Sequence, residues 1–136
     1  MGSIATNKNQ VTLYYNSNNS IGKQSLAYLN SSLRSINSID ISKTKVTGKQ
    51  WLEITSNLNV SLTDLVNQTH PDFKSEYENV NDLSREDWIK ILQNKPQVLS
   101  YPILIVNKSY HLIETPSKIA KLLESEEKSQ DARSKE

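Results

Sequence analysis

The stretch Tyr14-Tyr15-Asn16-Ser17-Asn18-Asn19-Ser20-Ile21-Gly22-Lys23-Gln24 packs carboxamides, hydroxyls, a glycine and a lysine between a short apolar run and a helix-like pattern. Backbone N–H groups around Ser20 to Gly22 at a helix start, with Lys23 beside them, have the makings of an anion nest. The same residues can equally do no more than turn the chain and cap the helix. Covalent chemistry has fewer resources. The serines have no base-and-orienter arrangement, and Ser-Ile-Gly-Lys lacks the glycine-rich spacing of a phosphate loop.

Elsewhere the inventory is thin. The chain contains no cysteine, which removes thiolate catalysis, disulfides and thiolate metal sites together. Its two histidines, His70 and His111, have no neighbour at ligand spacing, so no metal is expected. His70 precedes Pro71 and reads as a loop residue; His111 alternates with strand neighbours and reads as a sheet residue. Asp82, Glu86 and Asp87 lie at a helix start, where negative side chains offset the dipole.

Among 136 residues, 16 Lys and Arg oppose 15 Asp and Glu, a formal charge of +1, so no global field favours nucleic acid or an anionic membrane. Lys43, Lys45 and Lys49 near Trp51 could bind phosphate and stack on a base. Without a larger patch they read as a solvated turn, which disfavours direct nucleic-acid binding. No apolar run approaches the ~20 residues that span a bilayer. The segment MGSIATNKNQ lacks the pattern of a signal peptide, and a cytoplasmic location is the expectation.

Positioning elements follow from periodicity. Val11 to Tyr15 reads as a buried strand, Ser20 as the cap of a helix with Ile21, Leu26, Leu29 and Leu33 at helical spacing, and Ile36 to Ile41 as a weaker strand. Thr47 and Ser61 can cap helices through Trp51–Leu58 and Leu62–Val66. A crossing segment from Asn67 to Asn81 holds a short helix, and Ser84 with Asp87 signals another ending near Pro96. Ile103 to Val106, a turn at Asn107-Lys108-Ser109 and Tyr110 to Ile113 form a hairpin, after which Pro116 opens a last helix with Ile119, Leu122 and Leu123 inward. The expectation is one α/β domain over 11–124, with a flexible leader at 1–10 and a charged, disordered tail at 125–136.

In this order, VTLYYN, KQSLAYL, NKPQVLSYPILIV and HLIETPSKIAKLL resemble the arsenate reductase and Spx family over Val11 to Leu123. The resemblance implies a thioredoxin-like fold with a helical insertion. It also implies a cysteine nucleophile in the first loop, and Asn19 stands at that position; Gly22 stands at the second cysteine of CxxC members, and Lys23 at the following arginine. The family's Arg-Pro-Ile becomes Tyr101-Pro102-Ile103, with the proline implied to be cis and the oxyanion-binding guanidinium replaced by a phenol. A Gly-Arg-Pro type segment becomes Glu114-Thr115-Pro116. A carboxamide cannot attack arsenate or exchange with a disulfide.

The expectation is therefore a noncatalytic domain without a cofactor, in a binding or regulatory role. Asn16, Asn19, Ser20, Lys23 and Tyr101 are its candidate contacts to a small anion or a protein partner, and Pro102 is structural. Two alternatives stay open: an oxidoreductase working with atypical residues or a partner-supplied thiol, and a regulator that contacts RNA polymerase without a redox switch.

Overall fold

The computed structural model describes residues 10–32 and 34–124. The leader, Leu33 and the charged tail of the sequence reading lie outside the described residues, apart from Gln10. Six-residue strand β1 (Gln10–Tyr15) runs into helix α1 (Ser20–Asn30) and then strand β2 (Ser35–Asp40). Helices α2 (Gly48–Leu58), α3 (Leu62–Leu65), α4 (Pro71–Tyr77) and α5 (Arg85–Asn94) follow, then a 3-10 turn (Pro96–Val98) and strands β3 (Ile103–Val106) and β4 (Ser109–Leu112). Residues 118–124 are helical.

The strands form one mixed sheet in the order β2-β1-β3-β4. β1 lies parallel to β2, from Gln10 opposite Ser35 to Tyr15 opposite Asp40, and antiparallel to β3, while β3 and β4 are antiparallel. A parallel pair needs a crossover, and α1 supplies it. Alternation along β1 then divides the interior. Val11, Leu13 and Tyr15 join Leu29, Ile119 and Leu123 on the face covered by α1 and the last helical segment. Tyr14 points to the opposite face, where Trp51, Ile54, Phe73, Ile91 and Leu92 pack beneath α2 to α5. The result is the thioredoxin-like α/β arrangement with a helical insertion that the sequence led us to expect.

Three details differ from the sequence reading. Asn19, rather than Ser20, caps α1: it is extended, with φ −119° and ψ 158°, and its Oδ1 accepts the Gly22 N–H. The Ser20 hydroxyl instead accepts from Gln24 Nε2 at 2.7 Å. Helix α1 also stops at Asn30, because the Ser31 and Ser32 hydroxyls donate back to the Tyr28 and Leu29 carbonyls at 2.8 and 2.6 Å and compete with further turns. The hairpin turn is one residue shorter than expected, since Ser109 already pairs with Val106 and Asn107 takes up the reversal at φ 57°.

The insertion is fastened to the sheet by a short backbone bridge. Asn67 N donates to Val98 O and Ser100 N to Leu65 O, both at 2.7 Å, around the isolated pair Val66 and Leu99. This brings the start of the α3–α4 crossing beside the chain that leads to Tyr101.

Candidate functional site

Within the loop between β1 and α1, the Asn16 and Asn19 side chains hold backbone. Asn16 is only 3% exposed. Its Oδ1 accepts the Asn18 N–H at 2.8 Å, and its carbonyl accepts the Asn19 N–H at 3.2 Å. Asn19 Oδ1 takes the Gly22 N–H at 2.7 Å. Ser17 turns toward the end of β2, where Asp40 Oδ1 accepts from the Ser17 N–H at 3.2 Å and from the Ser42 hydroxyl and N–H at 2.7 and 3.1 Å. Burial pushes the Asp40 carboxyl up, but the hydrogen bonds from Ser17 and Ser42 outweigh it and leave the pKa down at about 2. Asp40, the last residue of β2, is thus an anion at neutral pH beside the β1–α1 loop.

Gly22 is needed for its lack of a side chain. A Cβ there would collide with the Asn16 carbonyl oxygen and lie 2.8 Å from Asn19 Oδ1. The position that the resemblance gives to a second cysteine therefore has no room for one in this loop. Lys23 and Ser20 are exposed, and Tyr101 is 37% exposed. Pro102 is buried, but no peptide bond among the described residues is cis, so Tyr101–Pro102 is trans, which corrects the implied isomer. The turn is held by another contact, the Ile113 N–H on the Pro102 carbonyl at 2.9 Å, and trans is the ordinary state of an X-Pro bond.

The remaining candidates fall into structural places. Trp51 is 1% exposed, so it has no face to offer a base beside Lys43, Lys45 and Lys49. Asp87 completes a capping box with Ser84, and the Ser84 N–H on its carboxylate holds its pKa below the usual range. Asp82, Glu86 and Glu114 are exposed. His111 lies on β4 opposite Leu104. His70 caps α4. Among the described residues no three His, Asp or Glu side chains converge as a metal site, and no helix is long and apolar enough to cross a membrane.

No family model matches the sequence, and no curated protein matches it. Solved structures do. An arsenate reductase from Vibrio cholerae superposes with a TM-score of 0.71 at 16% identity, covering 82% of this chain and 96% of that one. This is the arsenate reductase fold. An arsenate reductase (ArsC) related protein from Brucella melitensis gives a TM-score of 0.61 at 16% identity, over 81% of this chain and 91% of that one. On this fold, the present chain carries no thiol anywhere.

A concavity that the sequence reading missed lies in the insertion. Phe73 stacks on Trp88 with ring centroids 5.7 Å apart and 8° between planes, and Tyr77 packs on Phe73 at 5.4 Å. These rings floor an open cleft of about 460 Å³ whose polar rim includes Gln68, Lys74 and Asn81. A smaller cleft of about 340 Å³ shares Thr63 and Trp88 and reaches Arg85. Neither cleft is bordered by Asn19, Lys23 or Tyr101. The signal in the sequence was the aromatic spacing Phe73, Tyr77 and Trp88, which reads equally well as core.

Proposed function

We propose that this chain is a noncatalytic member of the arsenate reductase fold that acts by binding a protein partner through the face around the β1–α1 loop. The observation that carries this reading is the use made of Asn19. At the position where the resemblance implies a nucleophile, its carboxamide oxygen is spent on the Gly22 N–H, and no thiol exists to replace it. Three further features support the reading. Gly22 leaves no room for a second thiol, Tyr101 lacks the guanidinium fork suited to an oxyanion, and the Asp40 carboxylate adds negative charge at the loop. A small anion is the less favoured occupant for the same reasons. The loop presents Lys23 and Ser20 outward, and the partly exposed Tyr101 lies two residues before Ile103, the β3 partner of Tyr14, a set of mixed groups suited to a protein rim.

Arsenate and phosphate titrated against the labelled protein are expected to leave the Ser20 to Lys23 amide resonances in place; saturable shifts there would favour the anion instead. Capture of partners from the native cell, repeated with Lys23→Glu, is expected to lose the specific partner, whereas unchanged capture would remove this face from consideration.

A further inference from the structure

Strand β2 stands at one edge of the sheet, with β1 on its inner side. Successive residues of a strand turn their N–H and C=O groups to opposite edges. Ile41, which continues β2, donates its N–H to Tyr15 O at 2.8 Å, so Ile39 and Asn37 also turn toward β1, while Ile36, Ser38 and Asp40 turn outward. At Asp40 the outward carbonyl is used, accepting the Lys43 and Thr44 N–H groups at 3.0 and 2.9 Å. The Arg34 N–H, just before the strand, goes to Ser32 Oγ at 3.2 Å. Between these two stops, the outward amides and carbonyls of Ile36 and Ser38 meet no partner among the described residues.

Such an edge is a template for a further strand, and folds commonly blunt it with lysine, proline or a bulge. β2 has none of these. Its sequence is SINSID, its register with β1 is unbroken from end to end, and Ser35, Asn37 and Ser38 are exposed. On the opposite edge, by contrast, the Leu112 carbonyl of β4 takes Lys118 Nζ at 3.2 Å.

The same strand supplies a mate that fits. A two-fold axis normal to the sheet relates two antiparallel copies, so opposed residues must lie on the same face and the pairing centres on a residue. Centred on Asn37, it sets Ile36 against Ser38 of the second copy and Ser38 against Ile36, and each pair exchanges both N–H···O bonds. The same register sets Arg34 against Asp40 of the second copy, a cation against an anion at each end. Centring on Ser38 or on Ile36 instead would oppose an unpartnered position to Asp40 or to Arg34, whose outward carbonyl or N–H is already bonded. We propose that β2 is the contact between two copies of this chain, paired antiparallel about Asn37, so that the sheet of one copy continues into that of the other.

A chain without cysteine makes this register testable by single thiols. Asn37 faces Asn37 of the second copy in a non-hydrogen-bonded pair, with Cα atoms about 4.5 Å apart, which a disulfide spans, whereas the two Ser35 residues lie about 14 Å apart along the strands. In a glutathione redox buffer, Asn37→Cys is expected to form covalent dimer at least about tenfold faster than Ser35→Cys, because association holds only the first pair of thiols in reach. In the wild-type chain, raising the concentration from about 20 µM to about 1 mM is expected to bring the sedimentation mass toward that of a dimer and to raise amide protection of Ile36 and Ser38 at least about fivefold, with Asn37 and Ile39 unchanged. Ser38→Pro removes an outward N–H and leaves the bonds to β1 in place, so it is expected to keep the protection of Asn37 and Ile39 and to lose association. A chain that stays monomeric over that range, a dimer with Ile36 and Ser38 unprotected, equal cross-linking of the two cysteine variants, or a folded Ser38→Pro chain that still dimerises would each overturn the proposal.

Discussion

In the loop between β1 and α1 the side-chain oxygens of Asn16, Ser17, Asn19 and Ser20 are all engaged within the chain. At the cleft between α3 and α5, the Gln68 and Asn81 carboxamides have no partner among the described residues, and three aromatic rings line a concave surface. The first region has the polar composition of a site, yet its Asn16 and Asn19 oxygens hold the backbone. The second has the ordinary look of a core and forms the open cavity. Residue types alone do not distinguish a site from a scaffold; what separates them is whether their hydrogen-bonding capacity is already spent.

The comparison can be broken most forcefully at Gly22. Gly22→Ala forces a Cβ against the Asn16 carbonyl, and because that oxygen is backbone the loop must shift; a loss of about 3 kcal/mol in unfolding free energy by denaturant titration is expected. A loss below about 0.5 kcal/mol would mean that the loop is less tightly built than described. Trp88→Ala should cost about 2 kcal/mol, less than a fully buried tryptophan because Trp88 is only half-buried, and should abolish the floor of both clefts without altering the loop. Asn19→Ala should cost about 1 kcal/mol through loss of the cap, whereas Asn19→Asp should be close to wild type. Equal destabilisation by both substitutions would show that the oxygen is not what matters.

Asp40 gives a pH test of the same loop. Its folded pKa of about 2 lies below the ordinary 3.8, so the unfolded chain binds the proton more readily. The stabilisation is present above the ordinary carboxylate range and is lost as the pH falls from about 4 toward about 2. Asp40→Asn should flatten the dependence of the thermal midpoint over that interval. An unchanged acid profile would assign the acid sensitivity to other carboxylates.

Much of the scaffold was legible because its signals are local. VTLYY and ILIV have the β-branched, apolar character of buried strands, Ser84 with Asp87 has capping-box spacing, and Pro116 precedes the last helical residues. Thr47 with Gln50 has that spacing too, and both bonds of the box form. The site was less legible because some of its contacts join residues distant in sequence and others turn on a choice between neighbouring residues. Nothing local tells that Asp40 at the end of β2 will receive Ser17 from the first loop, since that depends on the parallel pairing of Tyr15 with Asp40. The choice of Asn19 over Ser20 as the cap is a one-residue decision between two good capping types, settled by where the turn after Asn16 closes. The proline isomer, implied by resemblance, concerned a bond whose surroundings had also changed, with Tyr101 in place of a charged side chain.

The most direct test of the noncatalytic reading is an arsenate reduction and thiol–disulfide exchange assay on the purified chain, with an external thiol donor and a heat-denatured control. No rate above that control is the expected result. Turnover that scales with protein concentration and disappears in Asn19→Ala, while the fold persists, would contradict it.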